Sequence, residues 1–366
     1  MTPNNRKEIK FKKYIKLQRW FDLPKSKRVD WKFPIVASTS ITGFHNAYKV
    51  EPPCVTTWRS WALWEVLRVN EKCRPLNTSL WVKNYKGNDP KFVYYQLKTM
   101  NLAQHNTWAG VPTLNRNHLD EIDISLPPLP TQQRIANILS TYDDLIENNT
   151  RRIKILEEQA QLIYKEWFVK FQFPWHEGIK MVDSGTEFGE IPEGWEVKKV
   201  WDVLQTIKRK PKVPKSKYLE KWNIPVIDQS RTEIAWYIDD EKYLQEDYLP
   251  IVVFGDHTRI LKYINFPFAS GADWTQLLYP NDKKLLPVYF YMALKNIDLK
   301  NELYARHFKF LKEEYIIRPS DLLLEKYNNI SISMFDEILN LQKQNQNLKE
   351  TRDMLIPKLV SGEVEV

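Results

Sequence analysis

Apolar side chains recur at steps of three and four from Ile135 through Ile138, Tyr142, Leu145, Asn149, Ile153, Leu156, Ala160 and Ile163 to Trp167. One extra step of four follows Asn149, the single polar intruder. That alternation is the heptad seam of a helix packed along a second helix. A later stretch repeats it, placing Met334, Ile338, Leu341, Asn345, Leu348, Arg352, Leu355 and Leu359 on one face, with Asn345 and Arg352 intruding. At 1.5 Å per residue the first helix is about 55–60 Å long. Two such seams separated by a whole domain predict an antiparallel coiled-coil pair. The alternative is a pair of core helices inside one large domain, which fits seams of this length with central polar residues less well.

Elsewhere the pattern has the shorter period of strands. Pro34 to Ala37, Pro225 to Ile227 and Ile251 to Phe254 are β-branched or aromatic runs between polar turn clusters, whereas Phe92–Leu102 and Val288–Leu299 have helical spacing. The chain also repeats itself. Pro24-Lys25-Ser26-Lys27 returns as Pro214-Lys215-Ser216-Lys217, and Trp31-Lys32-Phe33-Pro34-Ile35-Val36 as Trp222-Asn223-Ile224-Pro225-Val226-Ile227. The run from Pro90 to Leu102 matches Pro287 to Leu299, and the helical stretches align Leu156 with Leu348 and Ile163 with Leu355. Four matches in one order mark a duplication. The expected class is α+β: two mixed α/β domains in pseudo-twofold repeat, separated by two long antiparallel coiled-coil helices. The expected boundaries are 1–127 for the first domain, 128–172 for the central helix, 173–195 for a linker, 196–328 for the second domain and 329–366 for the C-terminal helix.

Charge adds a partner class. The 366 residues carry 54 Lys and Arg against 46 Asp and Glu, a formal +8, and the surplus is clustered. Residues 1–30 hold ten basic and three acidic side chains; residues 198–217 hold eight basic ones and only Asp202. Two separated basic clusters suit a polyanion. Cys54 and Cys73 are too few for a disulfide framework or a four-ligand zinc site. No phosphate-binding loop, dinucleotide fingerprint, serine-hydrolase elbow or zinc-protease motif is present, and the six histidines lack ligand spacing. Glu196-Val197-Lys198 has the Glu-x-Lys spacing of many nucleases, but a three-residue match is weak evidence. With no apolar run of membrane-spanning length and a polar, basic start, a soluble cytoplasmic chain without membrane partners is expected.

Several phrases now resemble type I restriction-modification specificity subunits, over essentially the whole chain. Leu126-Pro127-Pro128-Leu129-Pro130-Thr131-Gln132-Gln133-Arg134-Ile135-Ala136 resembles the family's junction between the first target-recognition domain and the central helix, and Glu166-Trp167-Phe168-Val169 that helix's end. Gly189-Glu190-Ile191-Pro192-Glu193-Gly194-Trp195 is similar to the phrase opening the second recognition domain. Pro112 to His118 resembles a domain's closing strand, and Ile356-Pro357-Lys358-Leu359-Val360-Ser361-Gly362-Glu363 the C-terminal helix end. The resemblance implies a non-catalytic, DNA-binding subunit of a restriction system serving DNA methylation and phage defence. Each recognition domain would read one half of a split double-stranded DNA target. The paired helices would hold the halves at fixed separation and dock two methyltransferase subunits, and motor-nuclease subunits would join for cleavage. No cofactor is implied on this chain: S-adenosylmethionine belongs to the methyltransferases, and ATP with magnesium to the motor-nuclease. A scaffold or RNA-binding module assembled through its heptads is the alternative.

Phosphate contacts need Lys and Arg in exposed turns. The candidates are Lys25, Lys27, Arg28, Arg59 and Arg116 in the first half, and Lys208, Arg209, Lys215, Arg231, Arg259, Arg306 and Lys309 in the second. Arg59 and Arg259 stand out because they occupy polar turns at corresponding places.

One departure stands out. Fourteen Trp accompany only ten Gly. Thr57-Trp58-Arg59-Ser60-Trp61-Ala62-Leu63-Trp64-Glu65-Val66 resembles a turn in which the family pattern has Gly at each Trp, and Trp20, Trp31, Trp108, Trp175, Trp201, Trp222, Trp236 and Trp274 also sit at glycine-like places. The repeat aligns Trp58 with Gly255 and Trp236 with Gly43. Either the chain is truly tryptophan-rich, with indoles in base stacking or the core, or a codon read as Trp stands for Gly. The second reading expects these indoles in turns, exposed or strained, unlike Trp167.

Overall fold

The computed structural model of the chain describes residues 6–19, 22–37, 40–58, 66–76, 79–100, 119–271, 274–299 and 306–366. They form two compact units, Met1–Asn149 with Gln344–Val366, and Thr150–Lys343. Each unit therefore contains one globular half and a segment of both long helices.

In the first unit the strands are β1 (Lys7–Lys10), β2 (Lys16–Arg19), β3 (Phe33–Ala37), β4 (Ser40–His45), β5 (Cys54–Trp58), β6 (Val66–Val69), β7 (Arg74–Pro75), β8 (Ser79–Asn84) and β9 (Asp123–Leu126). They form a four-stranded sheet β2-β8-β5-β6, a three-stranded sheet β4-β3-β7 and the antiparallel pair β1-β9. In the second unit β10 (Met181–Asp183), β11 (Glu190–Pro192) and β12 (Glu196–Lys199) come first. β13 (Ile224–Ile227), β14 (Trp236–Ile238), β15 (Leu244–Gln245) and β16 (Ile251–Gly255) follow, then β17 (Leu261–Ile264), β18 (Phe268–Ser270), β19 (Thr275–Leu278) and β20 (Tyr315–Arg318). Here the sheets are β14-β13-β18-β15 and β17-β16-β19, with pairs β10-β11 and β12-β20.

The internal repeat holds down to register. Strand β3 pairs antiparallel with β4 and parallel with β7; β13 does the same with β14 and β18. Strand β5 is flanked antiparallel by β6 and β8, as β16 is by β17 and β19. First and last strands close each half, β1 on β9 and β12 on β20. Residues 181–192, expected as linker, form the β10-β11 hairpin, and Trp195 beyond it is buried against Phe168 and Phe173.

Four helices carry the argument: α1 (Pro90–Thr99), α2 (Leu129–Tyr164), α3 (Pro287–Lys295) and α4 (Asp321–Ser361). Both short helices open on proline, whose missing N–H costs nothing in a first turn. At α1 the Asp89 carboxylate also accepts from the Phe92 N–H at 2.8 Å. Phe92 and Tyr95 of α1, and Tyr289 and Phe290 of α3, are fully buried in their own units. Helix α4 starts at Asp321, eight residues before the expected 329. The strand ends at Arg318, and Asp321 pairs with that arginine at 2.6 Å across the first turn, so the chain turns helical as soon as Pro319-Ser320 is passed.

The long helices run antiparallel in each unit. In the first, Arg352 meets Asp143 at 2.6 Å and the Asn149 amide reaches the Gln344 carbonyl oxygen at 3.4 Å, so one number rises as the other falls. In the second, Arg152 pairs with Glu337 at 2.6 Å, and Trp167 meets Tyr327 edge to face. On α4, Ile338, Leu341, Asn345 and Leu359 are buried, and Leu348, Arg352 and Leu355 half-buried. On α2 the seam is corrected at two places. Ile138 and Leu145 are 37% and 45% exposed, whereas Leu139 is fully buried and Ile146 half-buried. Ile135, Tyr142, Asn149, Ile153, Leu156 and Ile163 keep their buried or half-buried places, so the steps run four-three where three-four was expected. The cause is that Ile138-Leu139 and Leu145-Ile146 are apolar doublets. The first turns of α2 must also cover their own domain, and Leu139 shares a core with Phe92, Ile356 and Leu359.

This register predicts that Leu139→Ala costs about 2–4 kcal/mol in chemical unfolding, whereas Ile138→Ala costs roughly 0.5–1 kcal/mol. Equal costs would contradict it. Asn149→Leu should raise the unfolding midpoint while permitting shifted pairings, visible as off-register products when cysteines placed along α2 and α4 are cross-linked. A fall in the midpoint would remove Asn149 from the seam.

Candidate nucleic-acid interface

The repeated Pro-Lys-Ser-Lys phrase folds identically twice. Residues Lys25–Lys27 and Lys215–Lys217 are single 3₁₀ turns. Lys27 N–H donates to Pro24 and Lys217 N–H to Pro214, each at 3.0 Å, and Arg28 and Tyr218 N–H to Lys25 and Lys215, each at 3.2 Å. Proline fixes the entry and serine tolerates the turn, so both lysines of each phrase end exposed. In the first half His45 Nδ1 accepts from the Val29 N–H at 3.2 Å and holds the chain beyond the turn. Arg28 is half-buried, its Nε 3.4 Å from the Leu23 carbonyl. In the second half Lys217 pairs with Asp240 at 3.2 Å.

A second feature of the second half is a convergence of loops. The segments around 228–233, 255–259, 274 and 306–309 are tied to one another by short polar contacts. Thr258 Oγ1 donates to the Gln229 carbonyl at 2.8 Å, Asp256 N–H to the Trp274 carbonyl at 2.9 Å and His307 N–H to the Asp256 carbonyl at 2.9 Å. The Asp256 carboxylate accepts from Phe308 N–H at 2.8 Å. Gly255 is required here: a Cβ would lie 2.3 Å from Thr258 Oγ1 and 2.7 Å from Gln229 Cβ.

Arg231, Arg259, Arg306 and Lys309 all fall on this cluster. Arg231, Arg306 and Lys309 are exposed; Arg259 is turned inward, donating to the Leu299 carbonyl at 2.7 Å with its backbone at φ 60. Its expected prominence as a contact is therefore corrected: it braces the loop. Arg306 stacks 4.1 Å from the Trp274 ring centroid. Arg209 borders the cluster through Gln276 and the Leu277 carbonyl, and burial lowers its pKa, although a guanidinium keeps its proton near neutrality. Lys208 and Lys215 are exposed on flanking turns. Arg59, Arg116 and the Pro112–His118 phrase lie outside the described residues.

The sequence reading missed Lys262, which is buried and donates to the carbonyls of Asp228 and Thr232 at 2.7 Å and of Glu233 at 3.3 Å. It is what shapes the loop carrying Arg231. The signal was present: in β17 the side chains of Lys262 and Ile264 point the same way, inward, so strand alternation places a lysine in the core. Burial pulls its pKa down against the opposing pull of Asp228 and Glu233. Burial also raises Glu233, with Glu157 adding to the effect, while Lys262 and the Gln342 amide resist it. Among the described residues no group of three or more His, Cys, Asp or Glu side chains is placed to hold a metal ion, and no helix is long and apolar enough to cross a membrane.

Two tandem α+β halves, each ending in a long helix and each displaying the same lysine turn, define a duplicated two-domain subunit. The chain belongs to the type I restriction-modification specificity subunits. It is 30% identical over 322 residues to the type I restriction enzyme MjaIX specificity subunit of Methanocaldococcus jannaschii, covering 80% of this chain and 74% of that one. The HindI specificity subunit of Haemophilus influenzae is 22% identical across 69% of this chain and 71% of its own. The type I restriction modification DNA specificity domain model matches residues 69–158. The crystal structure of a type I S subunit from M. genitalium shares the fold at a TM-score of 0.62 and 14% identity, covering 98% of this chain and 97% of that one.

Replacing Lys262 with Met should cost about 2–4 kcal/mol, because three carbonyls lose their donor. It should also open the peptide bond after Arg231 to trypsin under native conditions; unchanged proteolysis would mean that Lys262 does not shape the loop. The raised Glu233 has a definite sign. A carboxyl with a folded pKa above its unfolded value contributes most below the ordinary glutamate range, and that contribution is lost as pH rises through the folded value. Glu233→Gln should therefore gain stability relative to the parent between pH 4.5 and 7.5, read from unfolding midpoints; the opposite slope would be inconsistent with a raised carboxyl.

Proposed function

We propose that this subunit reads a bipartite double-stranded DNA target, one part through each half, and docks its catalytic partners along α2 and α4. The observation that carries the reading is the pair of Pro-Lys-Ser-Lys turns with matching backbone bonds, since a duplicated protein surface suits two half-sites. Lys25 and Lys27 in one half, and Lys208, Lys215, Arg231, Arg306 and Lys309 in the other, supply phosphate contacts. Base discrimination falls to the loops beside them, whose shape is held by Lys262, Asp256 and Gly255. Apolar side chains left exposed on the helices, Ile138 and Leu145 in the first unit and Ile155, Leu162 and Leu322 in the second, support docking of two methyltransferase subunits there, with motor-nuclease subunits joining for cleavage. S-adenosylmethionine, ATP and magnesium chemistry then belongs to those partners.

Exchanging residues 196–320 for the corresponding domain of another specificity subunit should change one half of the methylated motif and leave complex assembly intact. Loss of assembly would place the docking surface on the exchanged domain, and an unchanged motif would remove that half from DNA reading. Binding of the assembled complex should weaken steeply with salt, as expected when several phosphates are neutralised. One continuous protected site in a footprint would refute the bipartite reading.

A further inference from the structure

We propose that eleven of the fourteen tryptophans are glycine positions, and that the gene carries there a codon which its own ribosomes read as glycine. UGA is the natural candidate, one base from the glycine codon GGA and one from the tryptophan codon UGG.

At two of these places the backbone is glycine's. Phe173-Pro174-Trp175-His176 is a turn closed by His176 N–H on the Phe173 carbonyl at 3.1 Å, with proline second and Trp175 third at φ 69. That is the type II turn, whose third residue requires positive φ and is ordinarily glycine. Trp274 also lies at positive φ, 39. A side chain with a Cβ is disfavoured in this region, and a bulky one most of all.

The repeat gives an independent witness. In the β3-β4 hairpin Phe44 faces Pro34, and in β13-β14 Tyr237 faces Pro225, so Gly43 at φ 145 and Trp236 are equivalent. Trp58 ends β5 as Gly255 ends β16, facing Ser79 and Thr275 on the equivalent strands. At Gly255 there is no room even for a Cβ.

Burial divides the two sets. All six of the eleven whose side chains are described, Trp31, Trp175, Trp201, Trp222, Trp236 and Trp274, are 40–71% exposed. Trp195 is buried, and Trp81 and Trp167 are half-buried against core residues. A role in stacking on DNA bases does not account for Trp175 or Trp201, which lie beside Lys326 of α4 and Lys312, away from the loop cluster. Exchange of the eleven would also bring glycine close to its usual share of about 7%.

Two measurements decide it. Peptides of the protein isolated from its own cells should carry glycine at positions 58 and 175; tryptophan at both would overturn the proposal. The full chain with all eleven set to Gly should unfold at a midpoint higher than the chain as written by roughly 5 °C or more. The same exchange at Trp167 or Trp195 should lower the midpoint. An elevenfold variant no more stable than the written chain would overturn the proposal as well.

Discussion

The structure turns on a junction of two residues. In each half the closing strand leads almost directly into a long helix: β9 ends at Leu126 and α2 begins at Leu129, while β20 ends at Arg318 and α4 begins at Asp321. Pro127-Pro128 and Pro319 cannot donate to a ladder and fix φ near the helical value, so strand stops and helix starts without slack. A junction this short makes the helix direction a property of the domain. Gln132 enforces it in the first half: this buried amide donates to the Pro127 carbonyl at 3.0 Å and to Asn88 at 2.9 Å, and accepts from the Asp89 N–H at 3.1 Å. One side chain thus joins the end of the strand, the start of α2 and the cap of α1. In the second half Arg318, held by Asp282 at 3.0 Å and Asp321 at 2.6 Å, has the corresponding place.

Given helices aimed in this way, the remaining freedom is sliding, and the seam opposes it with polar atoms. Asn149 and Asn345 are buried, and Asp143 joins Arg352 of α4 to the Tyr95 hydroxyl of α1. Such groups contribute little net stability once desolvation is counted, because an apolar pair of the same volume is often as good or better. Their effect is on alternatives: a slip of one turn would bury Asp143 or Asn149 against hydrocarbon, which costs more than the correct pairing gains.

That distinction explains what could be read in advance. The duplication, the strands around Pro34, Pro225 and Ile251, both short helices and the buried face of α4 were legible, because each is a local pattern with one period. The α2 seam was half legible. Between Ile138 and Leu139 the periodicity is indifferent, and only the domain beneath decides which faces inward. The basic turns were legible as repeated phrases. The roles of Arg259 and Lys262 were not, since a brace and a contact have the same charge, and which carbonyl lies within reach is a matter of tertiary structure.

The second half shows how a basic surface can be rigid as well as charged. Two of its cations are turned inward: Lys262 to three carbonyls and Arg259 to that of Leu299. These bonds hold the loops in one shape, and the exposed Arg231 and Lys309 then project from a fixed backbone. Attraction to a polyanion needs only the exposed set and varies little with sequence, because phosphate is the same everywhere. Discrimination needs groups whose positions do not relax toward whichever base is present, since a loop free to adjust loses the penalty for the wrong partner. Burying a lysine in a strand is costly, and it is offset here by its bonds to three carbonyls. The same three bonds that make Lys262 tolerable in the core therefore also fix the loop carrying Arg231, which is the rigidity that the proposed selective reading requires of it.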